Sequence, residues 1–342
     1  MTLFIGPVEN VGGPAIKNRI LLKFIQKDSG FRICNTHNRS ILNLVKSVAV
    51  LITSRDKQII VSVSRRGRAV LFPILSIKRM LSPKLHYSIV CIGGTIVQEA
   101  IKSPLLIYKT LQLADIVTVE TKGLLRRLEE DCGLENVHYM PNYKEIPDDV
   151  DLSTPIFETP NLKFVFLSSV RNVKGIATMI SVFKQIIDIY PSAILDIYGP
   201  IRDDFDGSVF DDIENLPGIN YRGVVANGDV LTKLSQYHVF IFPTEYQGEG
   251  FPAVIIEAYL AGLVIVASDI NFNTEIVIHN ENGWIFPTGD RKALKSALLQ
   301  CFYNEEEMKN ISKNNRSVAK NFNAENVIEQ YQKALIDCGW QL

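Results

Sequence analysis

Paired cysteines are missing from this 342-residue chain: Cys34, Cys91, Cys132, Cys301 and Cys338 are widely spaced and form no CxxC. That spacing excludes a thiolate zinc site and a disulfide framework, and reduced thiols in a cytoplasmic protein are the simplest account. No apolar run reaches the roughly 18 residues needed to span a bilayer. Met1 to Pro7 lacks the basic start and long apolar core of a signal peptide, and predicts a first strand entering a turn. Absent too is any GxGxxG with an acidic residue after the next strand, which argues against a nicotinamide-dinucleotide enzyme. Net charge is nearly absent, at −1, and no nucleic-acid partner is expected.

What is present describes a globular α/β protein, 46% hydrophobic and 21% charged. Its length exceeds one typical core and predicts two domains of about 150 residues each. The near-zero charge hides an asymmetry. Residues 1–150 carry 21 Lys and Arg against 13 Asp and Glu, whereas residues 151–342 carry 15 against 24. Over residues 1–128 the balance is +14. A basic half joined to an acidic one suggests that the first half meets an anionic surface or substrate, or else that it is a solvated basic face. The densest basic cluster is Arg65, Arg66 and Arg68 with Lys78, Arg79 and Lys84. Between them Phe72 to Leu81 mixes apolar residues with cations. It reads either as an amphipathic segment lying on an anionic membrane or receiving a lipid diphosphate, or as a core helix with a basic outer face.

The chain is organised around Thr244 to Glu257. Val239 to Phe242 reads as a buried strand, Tyr246 to Phe251 as a glycine-rich loop, and Pro252 as a first-turn residue. Ala253 to Ala261 follows as a helix stopped at Gly262, and Leu263 to Ala267 as another buried strand. This is a strand-loop-helix-strand unit of a parallel sheet, with its loop at the carboxyl end of a strand where such sheets bind ligands. Glu249 lies in the loop, and Glu257 is the only charge in an otherwise apolar helix. A buried, unpaired carboxylate is costly, so Glu257 must reach water or meet donors. Helical rise separates the two carboxylates by on the order of 10 Å. The free N–H groups of Gly250 and Phe251 at a helix start favour an anionic or hydroxyl-rich ligand.

Glu249-x7-Glu257, with Ala258, Gly262 and Val264 to Asp269, resembles the nucleotide-sugar signature of glycosyltransferase family 4. The resemblance continues through Glu275-Ile276-Val277, Asn282-Gly283 and Asp290 to Leu294, and covers the first half only loosely. It implies a retaining glycosyltransferase of the GT-B fold: two Rossmann-like domains with parallel sheets facing across a cleft. It assigns residues 1–150 to an acceptor-side domain and 151–325 to a nucleotide-sugar domain, with a last helix (326–342) packing back on the first. By resemblance Glu257 holds ribose hydroxyls and Glu249 the transferred sugar, with Pro252 at the helix entry. Lys174 and Arg171, in the loop before the helix Ile176 to Tyr190, neutralise the leaving diphosphate, as fixed cations would. Lys174 matches the family position, whereas Ser169 stands where the family's arginine usually does. Gly12 and Gly13, after the first strand, are expected beside the diphosphate. Gly223 and Val224 are expected near the base.

The family's acceptor-side histidine has no counterpart after the strand Tyr87 to Cys91; His86 precedes it, and His37 is a possible substitute. Asp204-x-Asp206 imitates a metal site, but no metal is expected, and the nucleotide sugar is substrate rather than cofactor. The acceptor implied is a glycan or polyprenyl-diphosphate-linked glycan of a bacterial-type surface polysaccharide, and the place cytoplasmic, at most peripheral on the inner membrane face. Two other readings stay open: a non-catalytic sugar-nucleotide-binding subunit of a glycan-assembly complex, and a GT-B-type nucleotide-sugar epimerase. Elsewhere Ile41 to Ser47 reads as helix and Ser47 to Ile52 as a strand, and Lys144 to Pro160 as an interdomain linker.

Overall fold

The computed structural model describes residues 1–9, 12–25, 30–36, 41–146, 155–211, 213–214 and 216–342. Val11, His37, Asp212 and the middle of the expected linker lie outside them. Residues 1–145, 248–251 and 322–342 form one compact unit, and residues 146–247 and 252–321 a second.

In the first unit β1 (Thr2–Gly6), β2 (Phe31–Asn35), β3 (Gln58–Val61), β4 (His86–Val90), β5 (Ile116–Val119) and β6 (Val137–Tyr139) form a parallel sheet in the order β2-β1-β3-β4-β5-β6. In the second, β7 (Lys163–Leu167), β8 (Ile194–Tyr198), β9 (Ile219–Tyr221), β10 (Val239–Phe242), β11 (Val264–Ser268) and β12 (Gly283–Phe286) run in the order β12-β11-β10-β7-β8-β9. Both are Rossmann-like. Their central strands are continuous apolar runs because helices cover both faces. The order reverses between β1 and β3 in one sheet and between β7 and β10 in the other, and loops at the carboxyl ends there are the binding positions of such sheets.

The helix Ala324–Asp337 belongs to the first unit. Tyr331 donates to Ser88 on β4 at 2.8 Å, and Trp340 Nε1 to Asp115 at 3.0 Å. Val327, Ile328 and Leu335 join Leu21, Ile25 and Tyr143 in one core. Each chain end thus contributes to the same hydrophobic cluster.

One expectation fails in this unit. Ser47 to Ile52 is not a strand but the second half of the helix Ile41–Thr53. Its β-branched residues favour a strand locally, but Lys78 Nζ donates to the carbonyls of Leu51, Ile52 and Ser54 (2.9, 3.2 and 2.6 Å) and caps the helix end. Phe72 to Leu81 packs as the core-helix reading expects: Phe72 and Leu75 are core residues of the helix Arg65–Leu81. Of the basic cluster, Arg68 is buried and bidentate to Glu99 at 2.7 and 2.9 Å, and Arg79 turns back to the Pro83 and Leu85 carbonyls. Arg65, Arg66 and Lys84 remain exposed.

Among the described residues no helix is long and apolar enough to cross a membrane.

Candidate functional site

The second unit gathers its candidates where β7 and β10 end side by side. A single 3-10 turn, Asn172–Lys174, follows β7 and closes on Gly175. Gly175 has φ +69°, and a Cβ there would lie 2.1 Å from the Pro243 carbonyl oxygen. Only glycine permits that approach. The Glu245 N–H donates to Val173 O at 2.8 Å, tying the loop after β7 to the loop after β10. Lys174 is thereby buried, with its ammonium 5.4 Å from the Tyr246 ring centre and 5.7 Å from that of Phe242. Both aromatic faces lie within cation–π range of the ammonium.

Arg171 is placed differently. It makes a three-bond pair with Asp204, at 2.7 to 3.2 Å, near the surface, and its guanidinium lies 5.9 Å from the Tyr246 ring. Asp204 hydrogen bonding raises the Arg171 pKa, and Arg171 in turn lowers that of Asp204. Asp206 accepts from the Ser208 N–H and hydroxyl, at 3.1 and 2.8 Å. The two acids of Asp204-x-Asp206 therefore serve an ion pair and a turn.

Pro252 stands just before the helix Ala253–Leu260 as its N-cap, with ψ +115°, rather than inside the first turn. Glu257 is half-buried on that helix, between the buried Ile256 and Ala258. Gly262 ends it with φ +73°. Ser268, at the end of β11, donates to Thr244 O at 2.6 Å, and Asn271 donates to Tyr246 O at 3.2 Å, so the loop after β10 is braced from the next strand. Gly223 follows β9 with φ +76°, beside the exposed Val224.

In the first unit the candidates meet at a buried acid that the pattern does not single out. Glu120 follows β5 and pairs with Lys17 at 2.7 Å, the two side chains 5% and 4% exposed. Lys17 lies one turn into the helix Gly13–Ile25, downstream of Gly12 and Gly13. A Cβ on Gly13 would meet nothing within 4 Å. Glu120 Oε2 accepts the Gly93 N–H at 3.2 Å and the Phe251 N–H at 3.5 Å. Gly94 N–H donates to Gly248 O at 3.4 Å, and Asn142 Nδ2 to Phe251 O at 2.9 Å. The Phe251 ring packs edge-on against Phe322, with centres 5.1 Å apart. The four residues that contain the half-buried Glu249, Gly250 and Phe251 are thus held at both ends. Local pattern reads Glu120 as an ordinary strand end. The available signal was an acid closing the apolar run Ile116 to Val119.

Residues 153–318, just under half of the chain, match the family model of glycosyl transferases group 1. The chain is 26% identical over 155 residues to an amylovoran biosynthesis glycosyltransferase, AmsK, of Erwinia amylovora, covering 43% of this chain and 37% of that protein. It is 22% identical over 269 residues to an uncharacterized glycosyltransferase of Haemophilus influenzae, covering 76% and 70%. The match to the Erwinia protein therefore spans well under half of that relative's length. The Anabaena protein HepE, whose structure was solved with UDP, superposes with a TM-score of 0.75 at 14% identity, covering 98% of this chain and 99% of that one. The fold class is GT-B.

Proposed function

We propose that this chain, whose residues 153–318 match the family model of glycosyl transferases group 1, is a retaining glycosyltransferase of the family 4 type that moves a sugar from a nucleotide-sugar donor to a glycan or lipid-linked glycan. The observation that carries the reading is Lys174, a buried cation fixed at the β7/β10 reversal of a Rossmann-like sheet. A fixed ammonium there suits a leaving diphosphate, whose charge grows as the glycosidic bond breaks.

In this reading Lys174 neutralises the diphosphate, and Arg171 assists once a ligand competes with Asp204. Glu257 binds ribose hydroxyls, with Pro252 shaping the helix entry, while Gly223 and Val224 border the base. Glu249 orients the transferred sugar. The N–H groups of Gly12, Gly13 and Gly250 supply further donors; the Phe251 N–H, expected to be free, instead donates to Glu120. The leaving diphosphate takes the acceptor proton on the face it departs from, so the protein supplies position and electrostatics rather than a metal or cofactor. The relation to an amylovoran enzyme supports an acceptor among surface polysaccharides.

The basic first unit supports a second partner, the anionic face of a membrane. The surface for it is the helix Ile41–Thr53 together with the exposed end of Phe72 to Leu81. Only Ser47 and Leu51 of this apolar helix are buried. Leu42, Val45, Ala49 and Ile52 share a stripe by helical spacing, and Leu42, Val45 and Ile52 are 80%, 58% and 60% exposed. Ile77, Met80 and Leu81 of the helix capping it are exposed as well, and so are Lys46, Arg55, Lys57 and Lys84. Exposed apolar side chains on a unit rich in exposed cations suit anionic lipid.

Donor use is tested by calorimetry and initial rates with UDP, GDP and ADP sugars. Glu257→Ala should weaken donor binding, and Glu249→Ala should bind donor but turn over slowly. Wild-type affinity and rate in both variants would remove these two assignments.

A further inference from the structure

We propose that Glu120, held by Lys17, is the positioning residue for the Gly248–Phe251 segment and hence for the Glu249 carboxylate. The inference rests on the reading of Glu249 as the residue that orients the transferred sugar.

A buried ion pair is a weak source of stability, since desolvation offsets its attraction. Its value here lies in what else the acid holds. One oxygen of Glu120 takes the Lys17 ammonium, while the other accepts two backbone N–H groups from separate loops, those of Gly93 and Phe251. Lys17 is fixed in turn. Its ammonium lies 5.5 Å from the Tyr143 ring centre, and the Tyr143 hydroxyl donates to the Lys17 carbonyl at 3.1 Å. Adjacent Asn142 donates to the Phe251 carbonyl, so one short stretch supports both the cation and the segment.

Gly250 shows how close the fit is. A Cβ there would lie 2.5 Å from Glu120 Oε2 and 3.0 Å from the Gly93 Cα. The acid therefore sets the height of the loop, and the loop excludes any side chain but hydrogen at that point. Glu249 is the neighbour of Gly250 and is carried with it. A carboxylate oriented on substrate hydroxyls is sensitive to displacements of about 1 Å, which can lower turnover by about 100-fold.

The experiment compares Glu120→Gln, Lys17→Met and Gly250→Ala by hydrogen exchange and by steady-state kinetics with the donor that the wild type uses. Glutamine keeps an acceptor but removes the charge that Lys17 holds. Gly250→Ala displaces the loop from the opposite side and leaves both charges in place, so it tests the clamp even if Glu120→Gln fails to fold. The expected result is faster exchange at residues 93–94 and 248–251, with β1 and β3 as protected as in the wild type. With it, kcat should fall about 100-fold while the donor KM changes by less than about threefold. A merely structural role would speed exchange across the whole unit and leave kcat per folded molecule unchanged, and that outcome overturns the proposal. Unchanged exchange at 248–251 overturns it too. Wild-type turnover in Glu249→Ala would instead overturn the reading of Glu249, whatever Glu120 does.

Discussion

Lys174→Ala is expected to lower kcat by about 100- to 1,000-fold, corresponding to about 3–4 kcal/mol, while raising the donor KM by much less. The asymmetry follows from chemistry. Negative charge on the bridging oxygen is larger in the transition state than in the bound donor, so a fixed cation stabilises the former more. The site is built for fixity: the turn Asn172–Lys174 is locked by Gly175 against the Pro243 carbonyl, and the ammonium is flanked by the Tyr246 and Phe242 rings. At a buried position, screening by bulk water is weak, so the loss of its charge is felt strongly. Arg171→Ala should cost less than about tenfold, because its guanidinium is near the surface and engaged with Asp204. Steady-state kinetics on the two variants decides, and near-normal kcat in Lys174→Ala removes the electrostatic role.

Replacing Leu42, Val45 and Ile52 together by serine should reduce partitioning onto phosphatidylglycerol vesicles by about 100-fold, the effect of losing roughly 1 kcal/mol at each partly inserted side chain. All three are exposed, so the folded protein should be little affected. Binding of the wild type should also weaken with salt, since each nearby Lys or Arg contributes about 1 kcal/mol that screening removes. Co-sedimentation, with thermal melting as the folding control, reads both effects. Equal recovery on neutral and anionic vesicles, or unchanged recovery of the triple variant, would contradict membrane docking. A concentration-dependent dimer broken by the same substitutions would assign the face to a second copy of the chain.

What local pattern reveals, and what it does not, divides along the range of the interactions. The strand-loop-helix-strand unit around Glu249 and Glu257 was legible because each part has a local cause. β10 and β11 are uninterrupted apolar runs, Pro252 suits a helix entry, and Gly262 adopts the positive φ that ends the helix. The second half of the helix Ile41–Thr53 is not legible locally because the residue capping it, Lys78, stands 24 to 27 positions away. Arg68 looked like a surface cation among Arg65 and Arg66 for the same reason. Its partner Glu99 is 31 residues on, and the guanidinium also donates to the Val63 and Ile92 carbonyls. Burial alone would raise the Glu99 pKa; the Arg68 bonds and charge outweigh that and hold it below the usual value. Glu120 carries no local signal of its role because its counterion lies 103 positions back and one of its N–H donors 131 positions on. Composition likewise shows a basic first half, but not which cations are consumed inside it.

The stereochemistry of the product tests the central claim most directly. Purified protein would be incubated with the nucleotide sugar it binds and a lipid-linked glycan acceptor, and the new glycosidic linkage assigned by the anomeric coupling constant in NMR. The account predicts transfer with the donor's anomeric configuration retained, and loss of that signal in Lys174→Ala. An inverted linkage, or epimerised donor with no transfer to any acceptor, would contradict it.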